Sequence, residues 1–340
     1  LIWASAFTAT TYRGLVGDIE FVELLGGLVF GDVGTEADRI AGIQTPGGSA
    51  ALRLAGDIMK RFGPDIKIWV GLPCWANHLP IFEAAGLNIE TYNYYDTQSR
   101  SVDRASMYSN LETAGAGDII LLQGCCHNPT GADLSLEDWK WITGLCNDKG
   151  VVPLIDIAYQ GLGRGLTEDM AGVRHLTRSV PEALVSVSCS KNFGLYRERT
   201  GALYVFGANP QKADLARSNL FSLARTSYSM PPDHGAAVVI SILQNAEFRK
   251  VWETELEGMR TRIFANRQAF VQAWDNNIID LSYVLGDQGM FSLLPLKPAQ
   301  IDVLRAKHAI YLPGNGRINL AGLAAKDIPM FVEGLRSVLK

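Results

Sequence analysis

The feature that most constrains this chain is a repeated switch of hydrophobic period between about residues 40 and 210. Short apolar runs fall at 67–70, 89–94, 118–123, 151–157, 184–187 and 202–206 and read as strands. Helical stretches lie between them at 49–61, 78–85 and 136–149. The last opens with Ser135 and Asp138, an N-cap arrangement ahead of Trp139, Ile142 and Leu145. Such alternation predicts an α/β fold, a mostly parallel sheet sandwiched by helices. Ligands of these sheets bind beyond the carboxyl ends of the strands, so the residues just after each strand are the candidates for chemistry.

From Pro231 the pattern changes to long helices, at 236–243 and from Glu247 to about Asn276. Segments of alternating apolar character follow at 282–285 and 290–294, then helices near 298–307 and from Lys326. This predicts a large domain over 1–257 and a smaller C-terminal α+β domain over 258–340, joined through the long helix. A chain of 340 residues that is 47% hydrophobic can fill both cores.

The net charge of -4, with no basic run, implies neither a nucleic-acid nor an anionic membrane partner. The longest apolar runs, such as 151–157, fall short of a bilayer span. Five cysteines without a Cys-x-x-Cys pair suit reduced thiols in the cytoplasm rather than a zinc site or a disulfide framework. The first residues, Leu1-Ile2-Trp3, lack an initiator Met and resemble neither a signal nor a transit peptide.

The run Ser188-Cys189-Ser190-Lys191-Asn192-Phe193-Gly194, with Arg199 just beyond, follows a predicted strand. A lysine is a nucleophile only when neutral, and desolvation or nearby cations favour that state. Two hydroxyls and a guanidinium also match the needs of a phosphate monoester. Pyridoxal 5'-phosphate (PLP) needs both a lysine for its aldehyde and a cradle for its phosphate. Taken alone, the run fits a Lys and an Arg on a polar turn equally well.

Other candidates sit at strand ends too. Asp156 ends the apolar run 151–155, and a buried acid there needs a donor such as a protonated pyridine nitrogen; capping of a turn is the alternative. Tyr159 and Asn128, the latter in a turn-like Asn128-Pro129-Thr130-Gly131, could donate to the cofactor phenolate. Trp75 suits stacking on a pyridine ring or a place in the core, and His78 a bond to Asp156. Thr45-Pro46-Gly47-Gly48-Ser49 opens a helix whose free N–H groups suit an anion. Arg225 and Arg317 would suit the two carboxylates of one substrate, or surface ion pairs.

In this order these residues resemble the class I aspartate/aromatic-amino-acid aminotransferases, in fold type I of the PLP-dependent enzymes. The matching strings include Gln44-Thr45-Pro46-Gly47-Gly48-Ser49, Trp75-Ala76-Asn77-His78 and Cys125-Cys126-His127-Asn128-Pro129-Thr130-Gly131. They continue with Asp156-Ile157-Ala158-Tyr159-Gln160-Gly161, Ser190-Lys191-Asn192-Phe193-Gly194-Leu195-Tyr196 and Gly316-Arg317-Ile318-Asn319. The resemblance implies a large PLP-binding domain with Lys191 as Schiff-base lysine and proton shuttle. It implies Asp156 as pyridinium partner, Tyr159 and Asn128 at the phenolate, and Trp75 on the ring face. The phosphate would be held by Gly48, Ser49, Ser188, Ser190 and Arg199, with Tyr12 reaching in from the neighbouring subunit. Substrate would meet Trp75, Asn128, the α-carboxylate arginine Arg317 and, from the partner, Arg225. A homodimer with shared active sites is therefore expected, catalysing ping-pong transamination with 2-oxoglutarate.

Some positions depart from the family pattern. Ser49 replaces a common threonine, and Met230 stands where aspartate-specific members have asparagine, both leaning towards an aromatic-tolerant pocket. Gln123 replaces a usual histidine and Cys74 a usual serine, with no effect assigned to either. The resemblance also implies a further N-terminal segment, an arm and a small-domain strand, that is missing ahead of Tyr12. Dicarboxylates plus Phe and Tyr are the expected substrates. The alternatives are a strict aspartate aminotransferase, a β-lyase or decarboxylase on the same fold, and an inactive PLP-binding paralogue.

Overall fold

A computed structural model describes residues 14–274 and 279–339. Seven strands form the main sheet: β1 (Ile40–Pro46), β2 (Lys67–Leu72), β3 (Asn88–Asn93), β4 (Ile119–Gln123), β5 (Val152–Ile157), β6 (Ala183–Ser188) and β7 (Thr200–Phe206). Their order is β1-β7-β6-β5-β4-β2-β3. Every neighbouring pair from β3 to β6 is parallel, and β7 alone runs against its neighbours β6 and β1.

The period-two side-chain alternation of each strand divides the core between two faces. Ile120, Leu122, Ile155, Ile157, Val185 and Val187 point to one face, against Phe21, Trp139, Ile142 and Leu176. Ile119, Leu121, Leu154, Leu184 and Leu203 point to the other, against Leu52, Ile58, Phe82 and Leu220. Helices Ile19–Phe30, Leu136–Lys149 and Ala171–Ser179 thus cover the first face, and Gly48–Phe62, His78–Ala84 and Pro210–Ser227 the second. Ser135 and Asp138 form a capping box at the start of Leu136–Lys149, and Gly150 ends it in a left-handed conformation.

All six strands expected from the sequence are present, with ends shifted by a residue or two. The sequence reading misses β1, because Gly42 and the terminal Pro46 dilute its strand pattern. An edge position tolerates that proline. It also misses the helices Ile19–Phe30, Arg104–Leu111, Ala171–Ser179 and Pro210–Ser227. The alternating stretch 282–285 is a correction: it forms a 3-10 helix, Ser282–Leu285, whereas Phe291–Leu293 (β8) pairs antiparallel with Arg317–Asn319 (β9). Residue 257, the expected domain boundary, lies inside one uninterrupted helix, Ala246–Trp274.

That helix anchors the segment leading into β8. Arg267 is almost fully buried, and its guanidinium donates to Val284 O at 3.0 Å, Gly289 O at 2.7 Å and Phe291 O at 2.8 Å. Asp287 lies 4.0 Å from it and accepts from Ser292 Oγ at 2.6 Å, while burial pushes its carboxyl up to about 7. Replacing Arg267 by Leu strands these carbonyls and leaves the buried acid uncompensated. The expected loss is roughly 3–5 kcal/mol of stability, read from the chemical-denaturation midpoint; a loss below about 1 kcal/mol contradicts the anchoring role.

Candidate active site

The carboxyl ends of β2, β4, β5 and β6 converge on a cavity of about 150 Å³. Asp156 is the penultimate residue of β5, paired in register with Gln123 of β4 and Ser186 of β6. Its carboxylate is buried, and Oδ2 lies 3.1 Å from His78 Nε2. A carboxylate at that nitrogen places the ring proton on Nε2. His78 is itself fully buried, and among the described residues its Nδ1 has no hydrogen-bond partner. Trp75, after β2, meets the His78 ring edge-on at 5.3 Å and lines the cavity.

Lys191 enters from the turn after β6, with Nζ 4.8 Å from the centroid of the Tyr159 ring. Burial is the main force on its amine and lowers its proton affinity. Asp156 opposes that effect and the Arg199 guanidinium adds to it. The result is an amine held below the ordinary lysine range, as a nucleophile or proton acceptor requires. The Tyr159 hydroxyl is pushed the other way, chiefly by burial.

Asn128 joins the two ends of the cavity. Its Nδ2 donates to Tyr159 Oη at 3.1 Å, and its Oδ1 accepts from Arg317 Nη1 at 2.8 Å. Arg317 belongs to β9 and lies over the Phe291 ring of β8 at 4.4 Å. Phe291 in turn meets Tyr159 edge-on at 6.0 Å. Contact between these parts requires a glycine at 131: a Cβ there would fall 2.5 Å from Phe291 O.

The opposite corner is built to receive an anion. Gly48 and Ser49 begin the helix Gly48–Phe62, whose first N–H groups are free of helical partners. Gly47, at φ +79°, lets Arg199 approach so closely that a Cβ would lie 2.7 Å from Nη2. Ser188 donates to Ser190 Oγ at 3.1 Å, and Arg199 donates to Tyr196 O at 3.1 Å. Helix N–H groups, hydroxyls and a guanidinium form the donor set a phosphate takes.

Gly48, Ser49, Trp75, Asn128, Asp156, Tyr159, Ser188, Lys191 and Arg199 therefore line one cavity. Ser190 joins through Ser188, and Arg317 through Asn128. Arg225 does not line it: the side chain is exposed on the last turn of Pro210–Ser227. Met230 is half-buried and also outside the lining. Tyr12 lies outside the described residues. The sequence reading gave no role to Phe291 or Gln123, which contact the site; a lone Phe in an alternating run and a strand-end Gln carry no chemical signal.

A buried acid at a strand end, a lysine of lowered proton affinity and a phosphate-type corner are the groups that a PLP site requires. The pattern of the family "Aminotransferase class I and II" matches residues 4–335, so the chain belongs to that family of PLP-dependent aminotransferases. It is 53% identical to the tyrosine aminotransferase of Rhizobium meliloti (strain 1021), over 93% of this chain and 81% of that protein. It is 40% identical to the aspartate aminotransferase of Salmonella typhi, over 98% of this chain and 85% of that one. An aromatic-amino-acid aminotransferase from Burkholderia pseudomallei, solved covalently bound to pyridoxal phosphate, superposes with a TM-score of 0.96 at 34% identity. That match covers 100% of this chain and 86% of the other.

The depressed Lys191 predicts a pH signature in the cofactor-free protein. A lysine that ionises less readily when folded costs stability while charged; the cost is full below its folded midpoint and vanishes as pH reaches the unfolded value. Lys191→Met should therefore melt higher than wild type near neutral pH, with the gain shrinking as pH rises towards about 10.4. A pH-independent difference, or a loss, contradicts the buried-amine account.

Proposed function

We propose that this chain transfers the amino group of an L-amino acid, aromatic or aspartate, to 2-oxoglutarate by a ping-pong mechanism. The observation that carries the reading is the Lys191 amine, depressed by burial and set between Asp156 and the Tyr159 ring in a cavity with a phosphate-type corner. When bound, PLP supplies an aldehyde for an amine and an electron-withdrawing ring. Gly48, Ser49, Ser188, Ser190 and Arg199 would hold its phosphate, Asp156 its ring nitrogen, and Tyr159 with Asn128 its phenolate oxygen. Trp75 would cover the ring face.

In this reading Lys191 would hold the cofactor through its Nζ, and that amine, of lowered proton affinity, would take and return the proton at the substrate Cα. Asp156 would face the ring nitrogen, with its carboxylate held by His78 Nε2 at 3.1 Å. Arg317 would bind the α-carboxylate as a planar fork, and the bond it donates to Asn128 Oδ1 fixes its orientation.

The exposed Arg225 fits a site completed across a homodimer, where it would meet a distal carboxylate and Tyr12 would reach the neighbouring phosphate. We place the large domain at 1–257 and the small one at 258–340, joined through Ala246–Trp274. Free thiols at Cys74, Cys125, Cys126, Cys146 and Cys189 suit the cytoplasm, and among the described residues no helix is long and apolar enough to cross a membrane. Ser49, which lines the cavity, favours aromatic donors alongside aspartate, in keeping with relatives named for tyrosine and for aspartate.

The test adds L-aspartate or L-phenylalanine to purified holoenzyme. Each is expected to convert the pyridoxal absorbance to that of pyridoxamine 5'-phosphate with release of 2-oxo acid; an unchanged spectrum with both donors refutes the reading. Lys191→Ala should retain PLP and lose roughly 10²–10⁴-fold or more in turnover, and near-wild-type turnover would sink the lysine's role. Arg199→Ala should weaken PLP binding about 10- to 100-fold, measured by equilibrium dialysis, whereas unchanged affinity removes Arg199 from the phosphate site.

A further inference from the structure

Gln123 closes β4 and lines the cavity. Its amide grips the main chain of Asn128 at both ends. Nε2 donates to Asn128 O at 3.0 Å, and Oε1 accepts from Asn128 N at 2.9 Å. We propose that Gln123 is a positioning residue: by clamping the Asn128 backbone, it couples the Arg317 carboxylate subsite to the Tyr159 hydroxyl.

The clamp holds a residue that serves two others. Asn128 uses one end of its side-chain amide on Tyr159 and the other on Arg317. A rotation of its peptide therefore lengthens one bond or the other. A primary amide has one acceptor and one donor end, so it fixes a peptide's rotation as well as its place. Neither a carboxylate, which only accepts, nor an apolar side chain can do this.

The loop around Asn128 has anchors that do not involve Gln123. The Asp133 carboxylate accepts from Cys126 N at 2.9 Å and His127 N at 2.8 Å. His127 Nδ1 lies 2.8 Å from Thr130 Oγ1, and Gly131 N donates to His127 O at 2.7 Å. Without Gln123 the loop keeps its course, while Asn128 loses its fixed orientation. The clamp thus acts on the site more than on the fold.

The inference rests on the proposed function, since it needs a bound cofactor at Tyr159 and a carboxylate at Arg317. The experiment compares wild-type, Gln123→Met and Gln123→Glu holoenzymes. It measures the pH midpoint of the bound cofactor's visible absorbance, the dissociation constant of 3-phenylpropionate as a carboxylate probe, cofactor stoichiometry, and melting temperature. Gln123→Met is expected to bind the probe about 5- to 10-fold more weakly and to shift the midpoint by about half a unit or more. Stoichiometry should stay at the wild-type value and melting should change little. Gln123→Glu keeps the acceptor and loses the donor, so it should fall between the two.

A Gln123→Met protein with wild-type midpoint and probe affinity overturns the proposal, whether or not its melting temperature falls. A wild-type protein without a cofactor band, or without a probe response, defeats the transaminase reading itself and the coupling with it.

Discussion

The arrangement depends on a carboxylate buried at the end of a central strand. β5 lies between β4 and β6, so Asp156 is shielded on both sides by sheet and cannot be solvated as a surface acid would be. His78 supplies one partner, through a nitrogen that the helix His78–Ala84, after β2, carries to 3.1 Å. Burial that makes a charge expensive also magnifies its field on neighbours. Lys191 and Tyr159 both feel that field, and burial moves their proton affinities in opposite directions.

A second constraint joins the main sheet to the β8–β9 ribbon. Arg317 reaches the cavity through Asn128, and Phe291 packs against both Arg317 and Tyr159. The backbone of this junction is held by Gln288 N donating to Gly131 O at 2.7 Å and by the buried Arg267 behind it. An arginine placed by one part of the fold is therefore oriented by an asparagine placed by another. Under the proposed function this lets carboxylate binding register at the hydroxyl beside the cofactor.

The sequence reveals the main sheet and the cavity well, for a physical reason. Parallel strands buried on both faces read as apolar runs, and the functional residues stand at or shortly after their carboxyl ends, as Asp156 and Lys191 do. Its weak points are equally physical. β1 is hidden by Gly42 and Pro46, and Ser282–Leu285 has an apolar spacing that suits a strand or a tight helix. Phe291 and Gln123 act through contacts made by the fold, from residue types that announce no chemistry. The exposure of Arg225 likewise appears only once the helix carrying it is placed.

The most direct test of the central claim is chemical. Holoenzyme is reduced with borohydride, digested, and the phosphopyridoxyl group mapped by mass spectrometry. The account predicts a single modified residue, Lys191. Modification at another lysine, or none in protein that holds stoichiometric PLP, contradicts it.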